Sequence, residues 1–146
     1  MSTELPDPLY RSILDYAPDA IMFADREGLI RIWNHGAEEI FGYTAAEALG
    51  QSLDLIIPEK LRGRHWEGYW RVMATGVSRY GARELLAVPA LRKSGEPLSV
   101  EFSIVMPPDP EGRPLGVAAI LRDVTARWQK ERELKVKLAA LEAARG

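Results

Sequence analysis

One of the two histidines in this chain lies in the aromatic, arginine-rich segment RGRHWEGYW, at residues 62–70. On a helical wheel, His65 falls on a stripe whose spacing predicts contact with a protein core. That stripe contains Leu61, His65, Gly68, Tyr69 and Val72. An imidazole can ligate a metal ion, Gly68 leaves room beside it, and Arg64 and Arg71 at its edge can pair with carboxylates. A planar, apolar ligand with two negative charges, such as haem b, matches these three features.

Other interpretations of the same residues remain open. His65 also fits a structural role, in which the imidazole caps an apolar cleft or bonds to a backbone carbonyl. The alternatives are a noncovalent flavin stacked on Trp33 or Trp70, an apolar small molecule such as a fatty acid, or no ligand at all. His35, which follows Asn34, is typical of a turn or cap residue and is not expected to bind anything.

Composition narrows the class of protein. A chain of 146 residues with 47% hydrophobic content predicts one domain with one core. The net charge of −2, with acidic and basic residues interleaved, argues against nucleic acid as a partner. Because there is no cysteine, disulfides, thiolate metal sites and cysteine-linked chromophores are excluded. No run approaches the roughly 20 apolar residues that span a bilayer, and no signal peptide is recognisable, so we expect a cytoplasmic segment without membrane contact.

Hydrophobic periodicity and turn residues predict an α+β fold. Gly28 suits the turn of a hairpin, Thr44 and Glu47 form a capping box, and Pro58 and Gly76 suit the start and stop of a longer helix. The predicted elements are a short helix at 9–17, a hairpin at 20–34, short helices at 34–49, a long helix at 58–76, a hairpin at 85–106 and a fifth strand at 116–124.

The residues after the fifth strand predict an exit helix, with Asp123 or Thr125 as its N-cap and signal junction. Its spacing approximates a coiled-coil repeat at Glu131, Leu134, Leu138 and Leu141. Because a lone helix frays in water, we expect a homodimer formed through the flanking helices. The chain is therefore divided into a flanking helix at 1–17, a sensor domain at 18–124 and a linker helix at 125–146.

Three ordered segments resemble the PAS family of sensory domains. They are NHGAEEIFGYTAAEALGQSLDLIIPE at 34–59, LRKSGEPLSVEFSI at 91–104 and LRDVTAR at 121–127. The resemblance covers roughly residues 8–126. It implies a five-stranded antiparallel sheet curled around a pocket, with helices on one face and output through the terminal helix.

The segment around His65 is also similar to the haem-binding oxygen-sensor PAS kinases. That resemblance implies that His65 is the proximal haem ligand and that Arg71 contacts a propionate. It also implies that Arg83 is the distal arginine that responds to a gas bound at the iron.

We find no nucleophile with a base, metal-ligand cluster or phosphate-binding loop, so an enzyme is not expected. Two functions remain. In the first, pocket occupancy biases a dimeric output helix, and a kinase, cyclase or similar output domain follows beyond Gly146, where the chain ends within a helix as a fragment would. In the second, the domain is a ligand-free adaptor for dimerisation and protein–protein contacts.

Overall fold

A computed structural model describes residues 4–77 and 86–145 of the chain, as helices covering one five-stranded sheet. The helices are α1 (Asp7–Tyr16), α2 (His35–Phe41), α3 (Ala45–Ala48), a 3₁₀ helix (Leu53–Ile56), α4 (Glu59–Thr75) and α5 (Thr125–Arg145). The strands are β1 (Ala20–Asp25), β2 (Ile30–Trp33), β3 (Leu86–Leu91), β4 (Pro97–Val105) and β5 (Gly116–Asp123). The sheet order is β2-β1-β5-β4-β3, and every neighbouring pair is antiparallel. This confirms the predicted α+β fold and its five strands.

Local chemistry explains where these elements begin and end. Thr44 accepts from the Glu47 amide while the Glu47 carboxylate accepts from the Thr44 amide, so the predicted capping box is present. Gly76 ends α4 in the left-handed conformation at φ 71°, which glycine adopts without steric cost. Helix α4 begins at Glu59, and Pro58 precedes it as the cap residue. The predicted boundaries of the long helix are therefore correct to within one residue.

The core lies between the inner face of the sheet and the short helices. Alternate residues of β1 are buried, and Ala20 pairs in register with Leu121 at the centre of the sheet. Phe41 of α2, Ile30 of β2 and Val100 of β4 are among the largest fully buried side chains. Removing such surface from water is the main stabilising contribution to a domain of this size.

Helix α4 is attached differently from the other helices. Tyr69 is the one buried residue of α4, and within the described parts of the chain the α4 backbone comes close to few residues of other elements. Side chains rather than close backbone packing therefore hold α4, and α4 carries the histidine segment. No helix of the described residues combines the length and the apolar character needed to cross a bilayer.

Candidate functional site

The predicted stripe of α4 is the more buried side of this helix. Tyr69 is 6% exposed, and the other stripe residues, Leu61, His65, Gly68 and Val72, are half-buried. A long helix that packs along one face shows this pattern. His65 is therefore turned toward the protein, as its position on the wheel predicted.

His65 has an unusual polar environment. Its Nδ1 atom is buried, and no described residue offers it a hydrogen bond. Burial lowers the pKa of His65, and the negative charge of Asp54 opposes that shift only in part. The imidazole is therefore neutral near pH 7, and neutral imidazole is the form that ligates metals. Buried polar atoms rarely lack a partner, so this nitrogen is a candidate contact for a ligand.

The other predicted site residues lie around His65 in different settings. A Cβ added at Gly68 would meet no atom outside the adjoining backbone of α4 within 4 Å, so there is open space at this point of the stripe. Arg64 is exposed, and Arg71 is exposed with its guanidinium 3.5 Å from the Glu67 carboxylate. Both arginines are thus at the surface, where they could meet the charged edge of a ligand. Arg83 lies outside the described residues.

Two open depressions lie on the surface of the described residues. One depression of about 520 Å³, open to solvent, is lined by Pro58, Glu59, Lys60 and Leu91, at the start of α4. Another, of about 460 Å³, runs along the exposed side of α5. Neither is lined by His65.

Trp66 is a part of the site that sequence reasoning missed. Its indole Nε1 donates to Asp54 Oδ1 at 2.7 Å. Its ring packs so closely on Gly28 that a Cβ added there would come within 2.4 Å of the ring. Gly28 is therefore required both by its φ of 81° and by the indole packed against it. The one sequence signal for a role of Trp66 was its position next to His65 in the segment at residues 62–70. Its partners Asp54 and Gly28 are distant in sequence.

Tyr69 anchors the same helix to the sheet. Its hydroxyl lies within hydrogen-bonding distance of the carbonyl oxygens of Ala24, at 3.0 Å, and Asp25, both at the end of β1. Burial raises the pKa of Tyr69, so the phenol stays protonated and can donate. The predicted site residue Tyr69 is thus a structural link between α4 and β1.

The remaining aromatic and histidine candidates lie in different settings. Trp33 is 5% exposed, its Nε1 donates to the Tyr43 carbonyl at 2.9 Å, and its ring packs against Phe41. Trp70 is 46% exposed and stacks on Trp66. His35 is the exposed first residue of α2, 3.0 Å from the Glu39 carboxylate. Among residues 4–77 and 86–145, no group of three or more potential metal ligands is found.

The predicted signal junction connects the sheet to α5. Asp123 Oδ1 accepts from the Thr125 amide at 2.9 Å, and Asp123 Oδ2 lies 3.1 Å from the Arg92 guanidinium. Arg92 also donates to the Ile40 carbonyl at 2.8 Å, at the end of α2. The Thr125 hydroxyl accepts from the Ser99 amide on β4 at 3.0 Å. Thr125 is the first residue of α5, so its hydroxyl ties the helix to β4, while the Asp123 carboxylate accepts from the first amide of the helix. The cap position itself is Val124, whose carbonyl accepts from the Trp128 amide at 2.8 Å, so neither Asp123 nor Thr125 occupies the predicted N-cap position.

Replacing Asp123 by alanine is expected to loosen this junction. The variant loses the acceptor for the first amide of α5, which costs about 1 kcal/mol locally. Hydrogen exchange across residues 122–130 should therefore accelerate by about fivefold. Asp123→Asn, which keeps an acceptor oxygen but not the charge paired with Arg92, should show a smaller change. An exchange pattern identical to that of the wild type across this segment would contradict the prediction.

Comparison with known proteins decides the family. A family model described as the PAS fold matches residues 14–129. The chain belongs to the PAS family. This PAS domain is 42% identical over 55 residues to the sensor protein FixL of Bradyrhizobium diazoefficiens, a match covering 38% of the chain. It is 30% identical over 131 residues to the cell-division control histidine kinase PdhS of Brucella ovis, covering 84% of the chain. The chain spans 11% of the length of each of these relatives.

A solved structure confirms the fold. The PAS domain of a protein from Colwellia psychrerythraea superposes with a TM-score of 0.70 at 23% identity, covering 82% of this chain and 97% of that one. The PAS family is a family of sensory domains, and this member is related to sensors of the histidine-kinase type.

Proposed function

We propose that this PAS domain is the sensory part of a kinase-linked signalling protein, in which a ligand held at His65 biases the exit helix α5. The buried Nδ1 atom of His65 without a described partner carries this proposal. A neutral imidazole with an unpartnered ring nitrogen can accept a new partner such as a metal ion. The domain itself performs no chemistry in this proposal, and a kinase or similar output domain belongs to the longer protein.

Haem is the ligand to test first. His65 would ligate the haem iron through its neutral imidazole, Gly68 would leave space beside it, and the exposed Arg64 and Arg71 would pair with the carboxylates of the haem. When bound, the iron would supply a coordination position for a diatomic gas or a change of oxidation state. The resemblance to haem-binding oxygen-sensor PAS kinases supports the same choice.

The structure also offers a route from the ligand to α5. Tyr69 connects α4 to the end of β1, and β1 pairs along its length with β5. Strand β5 ends at Asp123, whose carboxylate accepts from the first amide of α5. A ligand that displaces α4 would therefore act on the strand pair that leads into the exit helix.

The test is a haemin titration of three proteins: wild type, His65→Ala and His35→Ala. His35→Ala is the matched control, because it removes the other histidine from an exposed position. We expect a sharp Soret band at one haem per chain in the wild type and in His35→Ala. In His65→Ala the band should be lost, or the affinity should fall by about 100-fold, since the axial ligand is gone.

The outcomes separate the candidates. A specific band that survives in His65→Ala would place haem elsewhere and overturn the role of His65. No specific band in the wild type would remove haem as the ligand. A thermal-shift screen with flavins and fatty acids would then test whether another ligand occupies the space beside His65.

A second function, dimerisation as an adaptor, is supported by exposed apolar side chains. In α1, Ile13 and Tyr16 are 62% and 77% exposed, and in α5, Leu138 and Leu141 are 57% and 65% exposed. Contiguous exposed apolar surface on a soluble domain usually marks an interaction site. A homodimer through these helices is compatible with either function, because the sensory function also requires a partnered output helix.

A further inference from the structure

Three side chains on one face attach α4 to the rest of the domain. Arg62 donates from Nε to the Ile57 carbonyl at 3.0 Å and from its guanidinium to the Asp54 carbonyl at 3.2 Å. Trp66 donates to the Asp54 carboxylate, and Tyr69 reaches the end of β1. These positions lie four and three residues apart, so they form a single stripe along the helix.

His65 lies between two of these attachments, but its Nδ1 atom makes no hydrogen bond with any described residue. Its ring centroid is 4.7 Å from that of Trp66, nearly perpendicular at 78°, and 5.9 Å from that of Tyr69. Edge-to-face aromatic contacts have a preferred geometry. The plane of the imidazole is therefore set by its neighbouring rings.

The indole is the ring whose own orientation is most closely defined. Its nitrogen bonds to Asp54 on the 3₁₀ helix, its far edge packs on Gly28 in the β1–β2 turn, and Trp70 stacks on it. The bond to a charged carboxylate is stronger than one to a neutral acceptor. A change at Asp54 would release the indole and, with it, the imidazole.

We propose that Asp54 and Trp66 are the positioning residues of the His65 site: the carboxylate holds the indole, and the indole holds the imidazole in the orientation that a ligand meets. The inference deepens the proposed function, since it names the residues that orient the ligand-binding histidine. Neither residue is a ligand contact in this proposal. Their role resembles that of the outer partners that orient metal-binding histidines, except that here the link is an aromatic contact rather than a hydrogen bond.

Two pairs of variants test the proposal in the complete chain. Asp54→Ala removes the acceptor, whereas Asp54→Asn keeps an oxygen that can accept from the indole. Trp66→Phe keeps a ring but removes the N–H donor, whereas Trp70→Phe alters an exposed tryptophan that stacks on the same indole. Thermal melting of each variant establishes that it is folded.

The first measurement is made without ligand, above pH 8, where imidazole is neutral. With only two histidines, the His65 ring signals in a proton–carbon NMR spectrum are assigned by comparison with His35→Ala. We expect Asp54→Ala to shift these signals and to weaken the nuclear Overhauser contacts between His65 and Trp66. Asp54→Asn should retain both. Identical spectra for Asp54→Ala and wild type, or equal disturbance in Asp54→Asn, would overturn the proposal.

The second measurement is haemin affinity. Loss of an orienting residue around a metal-binding histidine typically costs 10- to 100-fold, so we expect a fall of about tenfold or more in Asp54→Ala and Trp66→Phe. Trp70→Phe and Asp54→Asn should remain within about threefold of the wild type. If the wild type binds no haem while Asp54→Ala still disturbs the His65 signals, the positioning role stands and the haem function fails. Equal affinities across all variants would contradict the positioning role.

Discussion

Replacing Asn34 by alanine is expected to destabilise the domain by about 3 kcal/mol. Asn34 is 2% exposed and connects three segments. Its Oδ1 accepts from the amides of Ile21 at 2.7 Å and Ala37 at 2.9 Å. Its Nδ2 donates to the carbonyls of Leu14 at 2.8 Å and Asp19 at 3.0 Å. Alanine would leave several backbone groups in a buried site without a partner, and each carries a desolvation cost.

Urea unfolding followed by circular dichroism measures this loss. A second variant, Asn34→Asp, keeps the accepting oxygen but places a carboxylate oxygen against the carbonyls of Leu14 and Asp19. At neutral pH it should therefore destabilise the domain about as much as Asn34→Ala. Gln51→Ala is the control, because Gln51 is an exposed amide and its loss should cost less than about 0.5 kcal/mol. A loss below about 1 kcal/mol in Asn34→Ala would show that water or a local shift replaces the amide.

Aspartate substitutions at Leu134 and Leu138 together are expected to convert a dimer to a monomer. Both leucines are more than half exposed, and with Leu141 they form a stripe spaced by four and three residues along α5. A charge at two positions of a coiled-coil seam would be buried against the partner helix without compensation. Light scattering should then show a fall from twice the chain mass of 16.3 kDa to the chain mass itself.

The matched control for this prediction is Val136→Asp. Val136 is 64% exposed and lies on the opposite side of α5 from Leu134 and Leu138, so the same charge there should leave the dimer intact. If the leucine variants remain dimeric, the coiled-coil interface is wrong. Ile13→Asp would then test α1, whose apolar side is also exposed. A wild-type chain that is monomeric at high concentration would contradict dimerisation through either helix.

Much of the fold could be predicted because its signals are local. Three such signals are the capping box at Thr44, the left-handed glycines at Gly28 and Gly76, and the alternation at Leu98 and Val100 in the first half of β4; each depends on residues within a few positions of one another. Backbone preferences and hydrophobic periodicity act over that distance, so the element order and boundaries follow from them. The three PAS segments, in their order along the chain, also predicted the five-stranded antiparallel sheet, which the structure confirms.

The candidate site was predicted only in part. The periodicity of α4 correctly predicted that His65 faces the protein, since helical geometry alone decides which side of the helix a residue occupies. The same periodicity could not reveal that Nδ1 lacks a described partner, or that Arg64 and Arg71 are at the surface. Those facts depend on which polar groups of other elements lie beside the helix in the folded domain.

The sequence by itself determined the helices, the strands and their turns, the family, and the histidine-bearing side of α4, because short-range chemistry and an ordered set of motifs specify them. Tertiary structure alone decided that Asn34 joins α1, β1 and α2, that Trp66 meets Asp54 and Gly28, and that Arg92 links α2 to the exit junction. These contacts join residues far apart in the chain, and only the packing of the whole domain brings them within bonding distance.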